Sequence, residues 1–349
     1  MKKIIYLLLI MICSQLAFAK RNTEQVQADN GKPNVVTTIF TPFDFTRAIT
    51  GGDDASKYIN LRMLLPPGSE SHSYEPTPQD IISVQNSDIF IYVGGESDVW
   101  VDRILSSMDT SNKIIIKLME CVSVVEEEIV EGMQDDEHDH EHEHEEGDHK
   151  EVVSTGSTTG GEAVVEPVET TTETEYDEHV WTSPYNAALI VNVITNALCE
   201  KDSANAAYYK ANSEGYIAKL NQLDAAFKEV VQNGKRKVIV FGDRFPFRYF
   251  ADHYGLEYYA AFPGCSTETE PSAATVAFLI DKIKAEQIPV VFHIELSNER
   301  MCQTISEATG AKILLMHACH NVSKKDFEGG ASYLELTTRN VDTLREGLN

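Results

Sequence analysis

Short apolar runs, rich in β-branched residues and separated by stretches of helical periodicity, recur in two sets along this chain, and they restrict the fold more than any other feature. The first set is NVVTTIF from Asn34, YINLRMLL from Tyr58, DIFIYVG from Asp88 and KIIIKL from Lys113. The second is KVIVFG from Lys237, LEYYAAF from Leu256, IPVVFHI from Ile288 and AKILLM from Ala311. Continuous apolar runs, unlike alternating ones, fit strands covered on both faces, so each set predicts β-α units around a buried parallel sheet. Between the sets, Tyr209, Tyr216, Leu220, Leu223, Phe227 and Val230 fall at three- and four-residue steps. That spacing predicts one long helix, started by Ser203 and ended at Asn233-Gly234, roughly 45 Å in length. The fold class is therefore α/β, with two lobes joined by a stiff helix.

The remaining segments bound location and chemistry. Lys2 and Lys3, an apolar run from Ile4 to Leu16, and Ala17-Phe18-Ala19 read as a secretory signal over residues 1–19, which makes the protein periplasmic. The alternative is a lipoprotein anchored through Cys13. The organisation expected is an N-terminal lobe over 20–200, a linking helix over 201–234 and a C-terminal lobe over 235–349. An insertion at about 122–176 interrupts the first lobe; its Ser, Thr, Gly and Glu give it little to bury. Most of the formal charge of -26 lies between Glu120 and Glu178, where Lys150 is the only lysine or arginine. With no basic stripe to meet phosphates, nucleic acid is excluded as a partner. The cysteines show no C-x-x-C spacing, which speaks against a cysteine zinc cluster.

Histidines carry the chemistry. His138, His140, His142, His144 and His149 alternate with acids inside the insertion. Their two-residue spacing gathers them on no helix face, so they read as weak, exchangeable zinc sites. His72, in PPGSESHSYEPTPQD, and His179, in YDEHVWTSPYNAALI, stand in loops that precede helices, where α/β folds place ligands. Asp243 follows a strand directly and reads equally well as a helix cap. His317 and His320 follow the last strand, His293 and Glu295 stand at a strand end, and His253 reads as structural.

The stretches TTIFTPFDFTRAITGG, MLLPPGSESHSYEPTPQDI, DEHVWTSP and ISEATGAKILLMHA resemble the metal-specific solute-binding proteins of zinc and manganese ABC importers, the ZnuA- and TroA-like family. The resemblance covers nearly all of the chain beyond the signal. It implies two lobes, each a mostly parallel sheet flanked by helices, a rigid connecting helix, and one metal ion in the cleft with two ligands from each lobe. Carried over by position, the metal ligands are His72, His179, Asp243 and His317, with Glu178, Glu295 and His320 as supporting or reserve groups. Three imidazoles and a carboxylate suit tetrahedral zinc better than manganese, which prefers more oxygen. The implied partners are a transmembrane permease and its cytoplasmic ATPase, met by a monomer whose lobes shift by only a few ångströms. Cys265 and Cys319, in loops after C-terminal strands, are expected to pair as a disulfide. Two other functions compete. A zinc hydrolase using Glu178 as base lacks H-E-x-x-H and G-x-S-x-G, so no enzyme is expected; a surface metal buffer or adhesin would capture zinc without delivering it.

Overall fold

A computed structural model describes residues 31–133, 175–266 and 271–349. The signal segment, Cys13 and the histidines from His138 to His149 lie outside the described residues. Among those that are described, no helix is long and apolar enough to cross a membrane.

The first set of runs forms β1 (Asn34–Thr37), β2 (Asn60–Met63), β3 (Ile89–Tyr92) and β4 (Ile114–Lys117), alternating with helices α1 (Phe40–Ile49), α2 (Pro78–Gln85) and α3 (Val99–Leu105). The sheet order is β2-β1-β3-β4, every pair parallel, with Val35 opposite both Leu61 and Ile89. Of its central strands, β3 is buried throughout and β1 from Val35 onward, as unbroken apolar runs require. Local signals hold α2 in place. Thr77 accepts from the Asp80 amide, the Asp80 carboxylate accepts from the Thr77 amide, and Pro78 presets the first turn.

α4 (Pro184–Lys201) leads through a short 3₁₀ turn at Ser203–Asn205 into α5 (Ala206–Asn233). At 28 residues, α5 is about 42 Å long. Ser203 does not cap it, and Gly234 leaves it extended rather than left-handed; its position comes from packing instead. Tyr209, Tyr216 and Leu220 belong to the core of the first half, while Leu223, Phe227 and Val230 belong to that of the second.

The second half contains β5 (Val238–Val240), β6 (Arg244–Phe245), α6 (Arg248–Tyr254), β7 (Glu257–Tyr259), β8 (Phe262–Pro263), α7 (Ala273–Glu286), β9 (Val290–His293), α8 (Arg300–Thr309) and β10 (Lys312–Leu315). β7 pairs with β5 and β10 with β9, all parallel, and Phe241 bridges Phe292. The order β7-β5-β9-β10 thus repeats the second-first-third-fourth order of the first half. After β10 the chain crosses back. Cys319, Val322 and Tyr333 enter the first core, and the last helices are α9 (Lys324–Glu328) and α10 (Tyr333–Gly347). Like α5, α10 serves both cores, through Tyr333 and Leu336 at one end and Val341 and Leu344 at the other.

Candidate metal centre

Three loops at the carboxyl ends of strands, or just before a helix, meet between the halves. Pro66, Pro67 and Gly68 end the β2 run and start the first loop, where Gly68 has φ +85. That loop is tied to the returning C-terminal segment: the Gly68 amide donates to Val322 O at 2.8 Å, and Asn321 Nδ2 donates to Pro66 O and Ser69 O. It carries His72. The second loop ends in the turn before α4 and carries His179, which is fully buried. The third follows β10 and carries His320.

One ring nitrogen from each of His72, His179 and His320 lies within 4.8 Å of the other two. Their other nitrogens explain the orientation. His72 Nδ1 is 2.9 Å from Glu70 Oε1, His179 Nδ1 is 3.1 Å from Asp177 Oδ1, and His320 Nδ1 is 3.4 Å from Glu295 Oε1. A carboxylate on Nδ1 fixes the proton there and turns the Nε2 lone pair outward from the pair, the arrangement that orients histidine toward metal ions. All three Nε2 atoms are buried without a hydrogen-bond partner. Left so, each costs about 1–3 kcal/mol, and a cation between them removes that cost.

The electrostatics agree. Burial drives the His72 ring down to about 4, with the Glu70 hydrogen bond opposing and the charges of His320 and Arg244 adding to the fall. Burial also holds His179 far below and His320 below the ordinary imidazole range, so all three present lone pairs at neutral pH. Burial lifts the Asp177 carboxyl to about 7. Glu178 faces the group with Oε1 3.7 Å from His72 Nε2. Burial pushes it up to about 8, against hydrogen bonds from the Ser97 hydroxyl and amide. Glu295 keeps only 7% of its side chain exposed, yet His317, His320 and the Ala318 amide outweigh desolvation and hold it down to about 2. Two glycines allow the close packing. A Cβ on Gly264 would stand 2.9 Å from His179 Cε1, and one on Gly95 would stand 2.6 Å from Glu178 Oε2.

Two of the expected ligands are turned to other tasks. Asp243 accepts from the Arg244 amide at 2.9 Å and from the Ile294 amide at 3.2 Å, binding the loops after β5 and β9 together. Its neighbour Arg244 reaches the centre instead, 2.7 Å from Glu70 Oε2 and 3.2 Å from both Ser266 O and His72 Nδ1. His317 Nδ1 accepts from the Cys319 amide at 3.0 Å, while its backbone is clamped on both sides by the Asn340 side chain. That turn gives Cys319 φ +65, a left-handed conformation that sends the thiol into the first core and brings His320 to the pocket. For the same reason the expected disulfide is absent. Cys265 and Cys319 are both free, and Cys265 faces Glu178 and His179. His293 and His253 lie apart, near Glu299 and Asp224.

Three inward-facing imidazoles, each braced by a carboxylate and closed between two parallel-sheet halves, define an α/β metal-binding protein. A family model described as zinc-uptake complex component A, periplasmic (ZnuA) matches residues 35–347, and the chain belongs to that family. It is 30% identical over 346 residues to the zinc-binding lipoprotein AdcA of Streptococcus pneumoniae, covering 99% of this chain but only 61% of that protein. It is 28% identical to the high-affinity zinc uptake system protein ZnuA of Bacillus subtilis, over 98% of this chain and 97% of that one. Among solved structures, the Zn(II)-bound ZnuA-like domain of Streptococcus pneumoniae AdcA superposes with a TM-score of 0.67 at 25% identity, over 91% of this chain and 99% of that one. The metal-dependent lipoprotein YcdH of Bacillus subtilis gives 0.68, also at 25% identity, over 91% of this chain and 100% of that one.

Proposed function

We propose that this protein is an extracytoplasmic zinc receptor that binds one Zn(II) between its halves and delivers it to the permease of an ABC importer. The observation that carries the reading is the trio of buried Nε2 atoms without partners, each on a ring whose Nδ1 is held by a carboxylate. His72, His179 and His320 are the nitrogen donors, and Glu178 is the fourth. Donors on a tetrahedral ion at about 2.1 Å stand roughly 3.4 Å apart, close to the 3.7 Å from His72 Nε2 to Glu178 Oε1. A set of three nitrogens and one oxygen favours zinc over manganese. The names of the relatives support zinc as the cargo and uptake as the purpose.

Competition against a chelator tests the site. Sharing an apparent zinc binding energy of 10–16 kcal/mol among four donors gives about 3 kcal/mol each, so His72→Ala, His179→Ala and His320→Ala should each weaken binding on the order of a hundredfold. Unchanged affinity in any of the three removes that residue from the ligand set. For delivery, the measurement is zinc uptake under scarcity in cells lacking the protein; normal uptake there rules out the importer role.

A further inference from the structure

Around His72 Nδ1 stand two groups that make opposite demands on it, besides the Ser71 hydroxyl at 3.3 Å, which can donate or accept and so favours neither tautomer. Glu70 Oε1, at 2.9 Å, only accepts, so it requires the proton on Nδ1 and leaves the Nε2 lone pair facing the pocket. Arg244 Nη1, at 3.2 Å, only donates. It requires the lone pair on Nδ1, which moves the proton to Nε2, and an N–H cannot bind a metal. The two demands are reconciled by sharing. Glu70 uses Oε1 for His72 and Oε2 for Arg244 Nη2 at 2.7 Å, while Arg244 Nη1 has Ser266 O as a second acceptor at 3.2 Å.

We propose that Glu70 and Arg244 act as opposed controls on the tautomer of His72, Glu70 holding the metal-binding form and Arg244 favouring the form that releases the ion. This rests on the zinc-receptor reading above and adds positioning residues to it. The placement suits a release device. Glu70 and His72 lie in one loop of the first half, whereas Arg244 comes from the strand after β5 in the second. Glu70 is the exposed member, with 41% of its side chain accessible against 4% for His72 and 10% for Arg244. Anything that draws the Glu70 carboxylate outward leaves the guanidinium as the nearest partner of His72 Nδ1, and the ring then turns from ligand to non-ligand without gaining a proton.

The tautomer is read directly from the ¹⁵N shifts of the His72 ring in the metal-free protein. Expected are Nδ1–H in the wild type, Nε2–H in Glu70→Ala, and a mixture in Glu70→Ala with Arg244→Met. In parallel, Glu70→Ala should weaken zinc binding roughly 10–100-fold, the usual loss when a group supporting a ligand is removed, and adding Arg244→Met should recover most of that loss. Two results overturn the proposal: Nδ1–H persisting in Glu70→Ala, or a double variant that binds no better than the single one, as expected of a purely structural tie between loops. Because the ring shifts are measured without metal, they stand or fall separately from zinc binding. Wild-type protein that fails to bind zinc tightly defeats the receptor reading, whatever the tautomer.

Discussion

The two halves of the molecule repeat one sheet order, yet they build their shares of the metal centre differently. In the first half each ring is braced from within its own loop: Glu70 holds His72 and Asp177 holds His179, each acid two residues before its histidine. In the second half the ring and its brace are far apart in sequence. His320 depends on Glu295, which leaves the neighbouring strand and also accepts from the Ala318 and His320 amides at 2.7 and 2.9 Å. The first arrangement is local and survives small shifts of the halves. The second requires β9, β10 and a left-handed turn to be correct together.

Protons draw the sharpest contrast, between Glu178 of the first half, pushed up to about 8, and Glu295 of the second, held down to about 2. Glu178 keeps its proton up to about 8 in the folded, metal-free chain, against 4.5 for an ordinary glutamate. Across that interval the fold binds more protons than the unfolded chain and loses stability as pH rises. His72 works the other way. With its ring down to about 4 from 6.5, its contribution is complete above 6.5 and is lost as pH falls toward 4. Zinc bound by the Glu178 carboxylate must displace its proton, so affinity should climb about tenfold per pH unit between pH 6 and 8. Titration calorimetry in buffers of different ionisation heat should count about one proton released per zinc at pH 7. Glu178→Gln should flatten this slope, whereas Glu295→Gln should leave it unchanged, because Glu295 is already ionised. A slope that survives Glu178→Gln would remove Glu178 as the fourth donor.

Losing a brace is the next largest effect. Asp177→Asn and Glu295→Gln should each weaken zinc about tenfold, the low end for groups that support a ligand. Only Glu295→Gln should also lower the melting temperature appreciably, since Glu295 anchors two amides of the loop after β10 whereas Asp177 anchors one, that of His179. Equal melting temperatures for the two variants would erase the distinction between local and long-range bracing. Smallest of all should be the effects on affinity of Asp243→Asn and His317→Gln, within about threefold of wild type for groups that touch no donor directly. A loss comparable to that of His320→Ala would return either residue to the ligand set.

The same contrast explains what the sequence revealed. Every strand of the two sheets was visible as an apolar run, and α5 as a period of three and four, because both patterns follow from burial alone. His72 and His179 were visible as histidines in loops beside Pro and Gly. The acid two residues ahead of each, in ESH and DEH, is a further signal that points to the braced Nδ1. The second half hid its share of the three-imidazole group. Asp243 and His317 stand just past the ends of their strands, where a ligand is expected, but the Arg244 and Ile294 amides engage one and the Cys319 amide the other. Nothing in HACHNVS foretells a cysteine at φ +65, a conformation that favours glycine or asparagine, and so His320 stood only in reserve. Arg244 passed unnoticed because its role depends on Glu70, a residue of the other half.

The two helices that run through both cores decide how an ion gets in. Parting the halves would strip packing from α5 and α10 along much of their length, at about 1.5–3 kcal/mol for each large side chain exposed, which opposes wide opening. On one side of the site the half-exposed Glu70 carboxylate meets solvent, while His179 and His320 are buried behind it. On the proposed reading, an ion entering from that side meets His72 before His179 and His320, so the Glu70–Arg244 pair at His72 Nδ1 stands where passage would be governed.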